Sequence, residues 1–262
     1  MQPVLVTGAS GYIGGQLVRA LREQGVPVRA LSRQPRGLDG LRSLGVEVVA
    51  GDVMDRASLQ AALSGVRAAY YLVHSMGRGH SEEAFAEMDR FGAQTFARAG
   101  ANLDQIIYLG GLGRVEDMLS PHLRSRLEVG DILRAGRAPV TVLRSGIVVG
   151  RGSASWQMLR SLAGRLPVMV CPRWVETRTQ PIAVDNAVGY LVAALQTPAA
   201  AGRSFEIGGP DVMTYRQMLE RTAWHRGKRP IIMTVPVLTP RLSAMCAICC
   251  ANVRTSGVGR NV

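Results

Sequence analysis

A chain of 262 residues suits one large α/β domain, or a core with a small appended lobe, and can bury a sizeable interior. Its 47% hydrophobic and 19% charged residues describe a globular protein rather than a disordered one. The net charge of +12 does not point to a nucleic-acid partner: the basic residues are scattered, no run of four or more occurs, and all 31 except Lys228 are arginine.

The first strand is read from Pro3-Val4-Leu5-Val6, an apolar run that suits a buried parallel strand. The next segment is Thr7-Gly8-Ala9-Ser10-Gly11-Tyr12-Ile13-Gly14-Gly15, and it opens a helix with Leu17, Val18 and Leu21 on one face. A glycine turn between strand and helix lets a pyrophosphate rest on backbone N–H groups at the positive end of the helix dipole. Gly8 permits the tight turn, Gly11 the approach of phosphate, and Gly14 close packing of helix on strand. Ser10, Tyr12 and Ile13 complete the expected cradle.

Alternation continues beyond it. Strands are predicted over residues 26–31, 46–50, 68–73, 105–109 and 140–143, with helices over 58–63 and Glu82–Ala99. In the long helix Phe85, Met88, Phe91, Thr95 and Phe96 are spaced for one buried core face. Strands separated by such helices imply right-handed crossovers and a Rossmann-type, doubly wound parallel sheet. Gly150-Arg151-Gly152-Ser153 reads as a hinge. The expected organisation is a Rossmann core over 1–150 and a substrate-side region over 151–242, interleaved with the core. That region has a helix near 187–195 and a strand near Ser204–Ile207. Residues 243–262 form an atypical tail without sustained period, read either as a truncated end or as a natural short form.

The chain enters its first strand at the third residue, so no secretory signal is expected. The best apolar candidate for a membrane span, 231–253, is broken by Pro236, Pro240 and Arg241. A cytoplasmic protein with reduced cysteines is therefore expected. Cys246-Ala247-Ile248-Cys249 has the spacing of a metal pair but lacks four suitable ligands, so no metal site is expected.

The motifs together resemble the atypical or extended branch of the short-chain dehydrogenase/reductase superfamily, and within it the NmrA-like proteins. Besides the glycine turn, the resemblance rests on Gly51-Asp52-Val53, Leu143-Arg144-Ser145-Gly146, Gln180-Pro181-Ile182-Ala183-Val184-Asp185 and Phe205-Glu206-Ile207-Gly208-Gly209-Pro210. The segments Tyr70-Tyr71-Leu72-Val73-His74-Ser75-Met76-Gly77 and Leu119-Ser120-Pro121-His122-Leu123-Arg124-Ser125-Arg126 are similar to bacterial two-domain relatives. The resemblance implies a dinucleotide cofactor, with Asp52 and Val53 beside the adenine and Val73 and His74 bordering the crevice.

NADP is expected over NAD. The end of the second strand reads Ala30-Leu31-Ser32-Arg33, where an NAD site carries an acidic residue for the ribose hydroxyls. Arg33 can pair with a 2′-phosphate and Ser32 can add a hydrogen bond, although in so arginine-rich a chain Arg33 also reads as an ordinary solvated charge. Most superfamily enzymes use Tyr-x-x-x-Lys, and this chain has neither residue there. His122 and Arg126 stand at the equivalent positions, and Gly110-Gly111-Leu112-Gly113 replaces the usual serine. His122 is then either the proton donor or a helix-start residue after Pro121, and Arg126 the ribose holder; His74 is a second candidate acid. Two functions stay open. One is an NADP(H)-dependent reductase of a small carbonyl, enone or quinone-like substrate, entering between the fourth and fifth strand ends and residues 156–178. The other is a non-catalytic redox sensor or assembly factor.

Overall fold

The structure, a computed structural model, describes residues 2–74, 82–113, 120–165 and 168–235. The tail expectation therefore lies outside the described residues. The chain divides into two compact units, one of Met1–Gly146 with Ile182–Gly208, the other of Ile147–Pro181 with the chain from Gly209 onward.

In the first unit β1 (Val4–Thr7), β2 (Val28–Ser32), β3 (Glu47–Ala50), β4 (Ala68–Tyr71), β5 (Gln105–Gly111) and β6 (Val140–Ser145) form a parallel sheet. Its seventh strand, Ser204–Ile207, adds parallel to β6 at the edge, and the order is Ser204–Ile207, β6, β5, β4, β1, β2, β3. Chain order runs outward from β1 in both directions, so β1 and β4 are neighbours at the topological switch point, where such sheets hold ligands beyond the strands' carboxyl ends. Register keeps those ends level: Thr7 pairs with Leu31 on one side and Tyr71 on the other. Thr7 also ties the two switch strands together. Its buried hydroxyl donates to the Tyr70 carbonyl at 3.0 Å and accepts from Leu72 N–H at 3.3 Å.

Helices α1 (Tyr12–Glu23), α2 (Asp39–Arg42), α3 (Arg56–Leu63), α4 (Glu82–Ala99) and α5 (Pro121–Arg134) follow the strands. Leu17, Val18 and Leu21 are buried, as their spacing predicts, because three- and four-residue steps return to one face. In α4 Phe96 of the predicted stripe is buried, joined by Ala93 and Ala97, while Phe91 is 51% exposed. Strand boundaries shift by a few residues, three of them at the cleft side. β2 starts at Val28 and takes in Ser32; β5 extends through Gly110 and Gly111; and β4 stops at Tyr71, so Leu72, Val73 and His74 leave the ladder at the carboxyl edge. Helix Val184–Gln196 packs in this unit too, its Leu191 carbonyl accepting from the buried Tyr70 hydroxyl at 3.1 Å.

The second unit has its own core, in which Leu159, Met169, Cys171, Val175, Met218, Leu219 and Ile232 are buried together. Strand Ile231–Val235 pairs parallel with Val168–Pro172 over this core.

Candidate functional site

The glycine turn is built by close approach. Gly8 has φ +73, and a Cβ there would lie 2.5 Å from the Leu72 carbonyl oxygen beyond β4. A Cβ at Gly14 would lie 2.2 Å from the Gly8 carbonyl oxygen, so this glycine lets α1 seat on the turn. Gly11 N–H donates to Gly8 C=O at 2.9 Å, and Gly11 is the N-cap of α1 with no side chain capping the helix and no acidic residue in its first turn. A positive helix end without a side-chain cap suits a phosphate.

From this turn a cleft of about 740 Å³ runs across the carboxyl ends of β1, β2 and β4. Gly8, Ser10 and Gly11 border one part of it. Ser32 and Arg33 border the β2 end, Asp52 and Val53 the β3 end, and Val73 and His74 the segment after β4. Tyr12, Ile13 and Gly14 do not border the cleft; Gly14 supports it from beneath. The Ser32 hydroxyl accepts from Gln34 N–H at 3.1 Å, which fixes the turn that carries the exposed Arg33. Asp52 Oδ1 accepts from Met54 N–H at 3.0 Å, a local turn, whereas the cap of α3 is Asp55, which accepts from Ala57 and Ser58. The glycine turn at Gly8–Gly11, where a Cβ would meet backbone, fits the pyrophosphate of a dinucleotide.

At the other end of the cleft lies a polar network joining three elements. Arg126 on α5, which borders a separate cavity beside Gly110 and Gly111 rather than the cleft itself, donates through Nε to His74 Nε2 at 2.9 Å. His74 Nδ1 lies 3.6 Å from Asp89 Oδ2 on α4, and the Ser125 hydroxyl donates to the same oxygen at 3.0 Å. Because Nε2 accepts, the imidazole proton resides on Nδ1, facing the carboxylate. Burial pushes the His74 pKa below its ordinary value; the Asp89 hydrogen bond opposes this, and the charges of Arg126 and His122 reinforce it. The Tyr108 hydroxyl donates to the Arg126 carbonyl at 2.9 Å, and burial pushes that phenol upward, so it remains protonated. Asp89 and Met88 both border the cleft, which the sequence did not foretell: Met88 was assigned to the core stripe and Asp89 to no role. The available signal was an acidic residue beside an apolar stripe.

His122 lies on the first turn of α5, after the Ser120 N-cap and Pro121. It is exposed, packs against Phe85 with ring centroids 6.0 Å apart, and does not border the cleft. Within Gly110-Gly111-Leu112-Gly113, a Cβ at Gly111 would meet Leu123 Cδ1 at 2.2 Å. Leu123 occupies the space that a side chain there would need. No group of three or more potential metal ligands occurs among the described residues.

A parallel sheet with its cleft at the switch point and a glycine turn beneath it defines a Rossmann-type α/β protein. The model of the NmrA-like family matches residues 1–89. Ceramide reductase of Caulobacter vibrioides is 30% identical over 237 residues, covering 89% of this chain and 73% of that protein. The (4-alkanoyl-5-oxo-2,5-dihydrofuran-3-yl)methyl phosphate reductase of Streptomyces griseus is 29% identical over 225 residues, covering 82% and 70%. A solved short-chain dehydrogenase/reductase superfamily protein from Agrobacterium tumefaciens with bound NAD matches with a TM-score of 0.70 at 20% identity, covering 89% of this chain and 85% of that one. The chain belongs to the NmrA-like branch of the short-chain dehydrogenase/reductase superfamily.

Proposed function

We propose that this protein binds NADP(H) and reduces a small carbonyl, enone or quinone-like substrate. The observation that carries this reading is the cleft, which starts at an uncapped helix end and reaches Ser32 and Arg33 with no acidic residue at the β2 terminus. The reductase names of the two most similar relatives described above agree with it.

When bound, the cofactor supplies a hydride to the substrate carbon. Gly8, Ser10 and Gly11 hold its pyrophosphate and Arg33 its 2′-phosphate. His74 fixes the Arg126 guanidinium through Nε, leaving the terminal amino groups to hold ribose hydroxyls. His74 has no proton on Nε2 to give. His122, one helical turn before Arg126, lies outside the cleft, so it delivers the proton for the substrate oxygen through water.

The exposure of His122 outside the cleft favours a second reading, a non-catalytic NADP(H) sensor or assembly factor. Calorimetric titration with NADPH and NADH, followed by NADPH oxidation across quinones and enones, separates the cases. Tight NADPH binding with turnover supports the reductase, and tight binding without turnover supports the sensor. Failure of both cofactors to bind removes both readings.

A further inference from the structure

Charge is unevenly distributed between the two units. Met1–Gly146 with Ile182–Gly208 carries eighteen basic and sixteen acidic residues, whereas residues 147–181 and 209–235 carry ten basic against three acidic. The smaller unit therefore holds most of the net positive charge.

The same unit exposes an apolar sheet face. Alternation along paired strands sends Met169, Cys171 and Ile232 into the core and their neighbours the other way. Register sets Ile231 beside Val168 and Met233 beside Val170, and these four side chains are 44–61% exposed. Two strands thus present a contiguous aliphatic patch to solvent. The strands run parallel, so their amino-terminal ends coincide, and there the chain carries exposed Arg229, with Pro230 before Ile231, and exposed Lys228, whose ammonium also donates to the Gly164 carbonyl. Arg173 follows the other strand directly, and next to it Trp174 is half exposed.

We infer that this face docks on an anionic lipid bilayer. Aliphatic side chains gain by entering the headgroup boundary, exposed arginine and lysine are drawn to a negative lipid surface, and tryptophan favours that interface. No helix among the described residues is long and apolar enough to cross a membrane, and the attachment inferred is a peripheral one made by this face. A nucleic acid would use the charge but not the aliphatic patch; a second copy of the chain would use the patch but be repelled by the charge.

Flotation of the full chain with vesicles of phosphatidylcholine, alone or mixed with phosphatidylglycerol, tests this. The expected result is binding to the mixed vesicles only, weakened by raised salt. Ile231→Thr/Met233→Thr keeps β-branched or strand-tolerant residues and should lower binding at least tenfold with melting unchanged. Should that variant fail to fold, Arg229→Glu and Val168→Thr each lower binding by the same argument. Undiminished binding by the folded variants, or equal binding to neutral vesicles, overturns the inference. So does self-association abolished by the threonine variant with no vesicle binding. Retention on duplex DNA without vesicle binding also overturns it.

Discussion

Arg126 Nε lies 2.9 Å from His74 Nε2, so a helix residue and a strand-end residue 52 positions apart share one hydrogen bond at the edge of the cleft. The bond places the imidazole proton on Nδ1, toward Asp89, and makes a doubly protonated His74 incompatible with the arginine donor.

Acid sensitivity follows. His74 is a base whose folded-state pKa is depressed below 6.5, so the unfolded chain binds more protons between the two values. Its contribution to stability is intact above pH 6.5 and declines as the pH falls toward the folded-state pKa. Melting temperatures measured from pH 8 to 5 should fall less steeply for His74→Gln than for the wild type. In NMR titration, Arg126→Ala should move the His74 pKa upward, and an unmoved value would refute the bond.

Asp89→Ala removes the acceptor of the Ser125 hydroxyl and the charge beside His74 Nδ1. A buried donor left without its acceptor costs about 1–3 kcal/mol. Chemical denaturation should register a loss of that size, and Ser125→Ala combined with it should add little, because both changes break the same contact.

Gly14→Ala puts a methyl group against the Gly8 backbone, where no rotamer can move away. Overpacking of this kind costs about 1–3 kcal/mol. Loss of nucleotide binding should accompany the lower stability, since the Gly8 turn must shift. Gly15→Ala is the control. Its Cβ would stand 3.4 Å from the Ala9 carbonyl, and alanine in a helix is favoured over glycine by about 0.5–1 kcal/mol.

Arg33→Ala should weaken NADPH binding by about 1.5–3 kcal/mol, the value of a charge-assisted hydrogen bond, and leave NADH binding nearly unchanged. Calorimetry on both proteins reads the difference directly. An unaltered preference would return Arg33 to the role of a solvated surface charge.

His122→Ala tests the proton donor. If His122 gives the proton, turnover should drop about 100-fold or more while NADPH affinity stays constant. Full turnover in His122→Ala together with loss in His74→Gln would rule out His122 as donor and assign His74 a positioning role through Arg126.

The sequence by itself determined the parallel sheet, the glycine turn and the Ser32-Arg33 end of β2, because each depends on short-range spacing around one strand and its helix. It also showed that Tyr-x-x-x-Lys is missing. Only the tertiary structure brought three polar residues together beside the cleft. Asp89, His74 and Arg126 come from α4, the segment after β4 and α5, and their meeting depends on how two helices pack over the strand ends. Helical period gave α4 an apolar stripe but not its surroundings, so Met88 borders the cleft and Phe91 faces solvent. Nor could spacing show that Ser204–Ile207 returns to β6 as the edge strand, a pairing across about sixty residues that is fixed by packing and hydrogen bonding rather than local propensity.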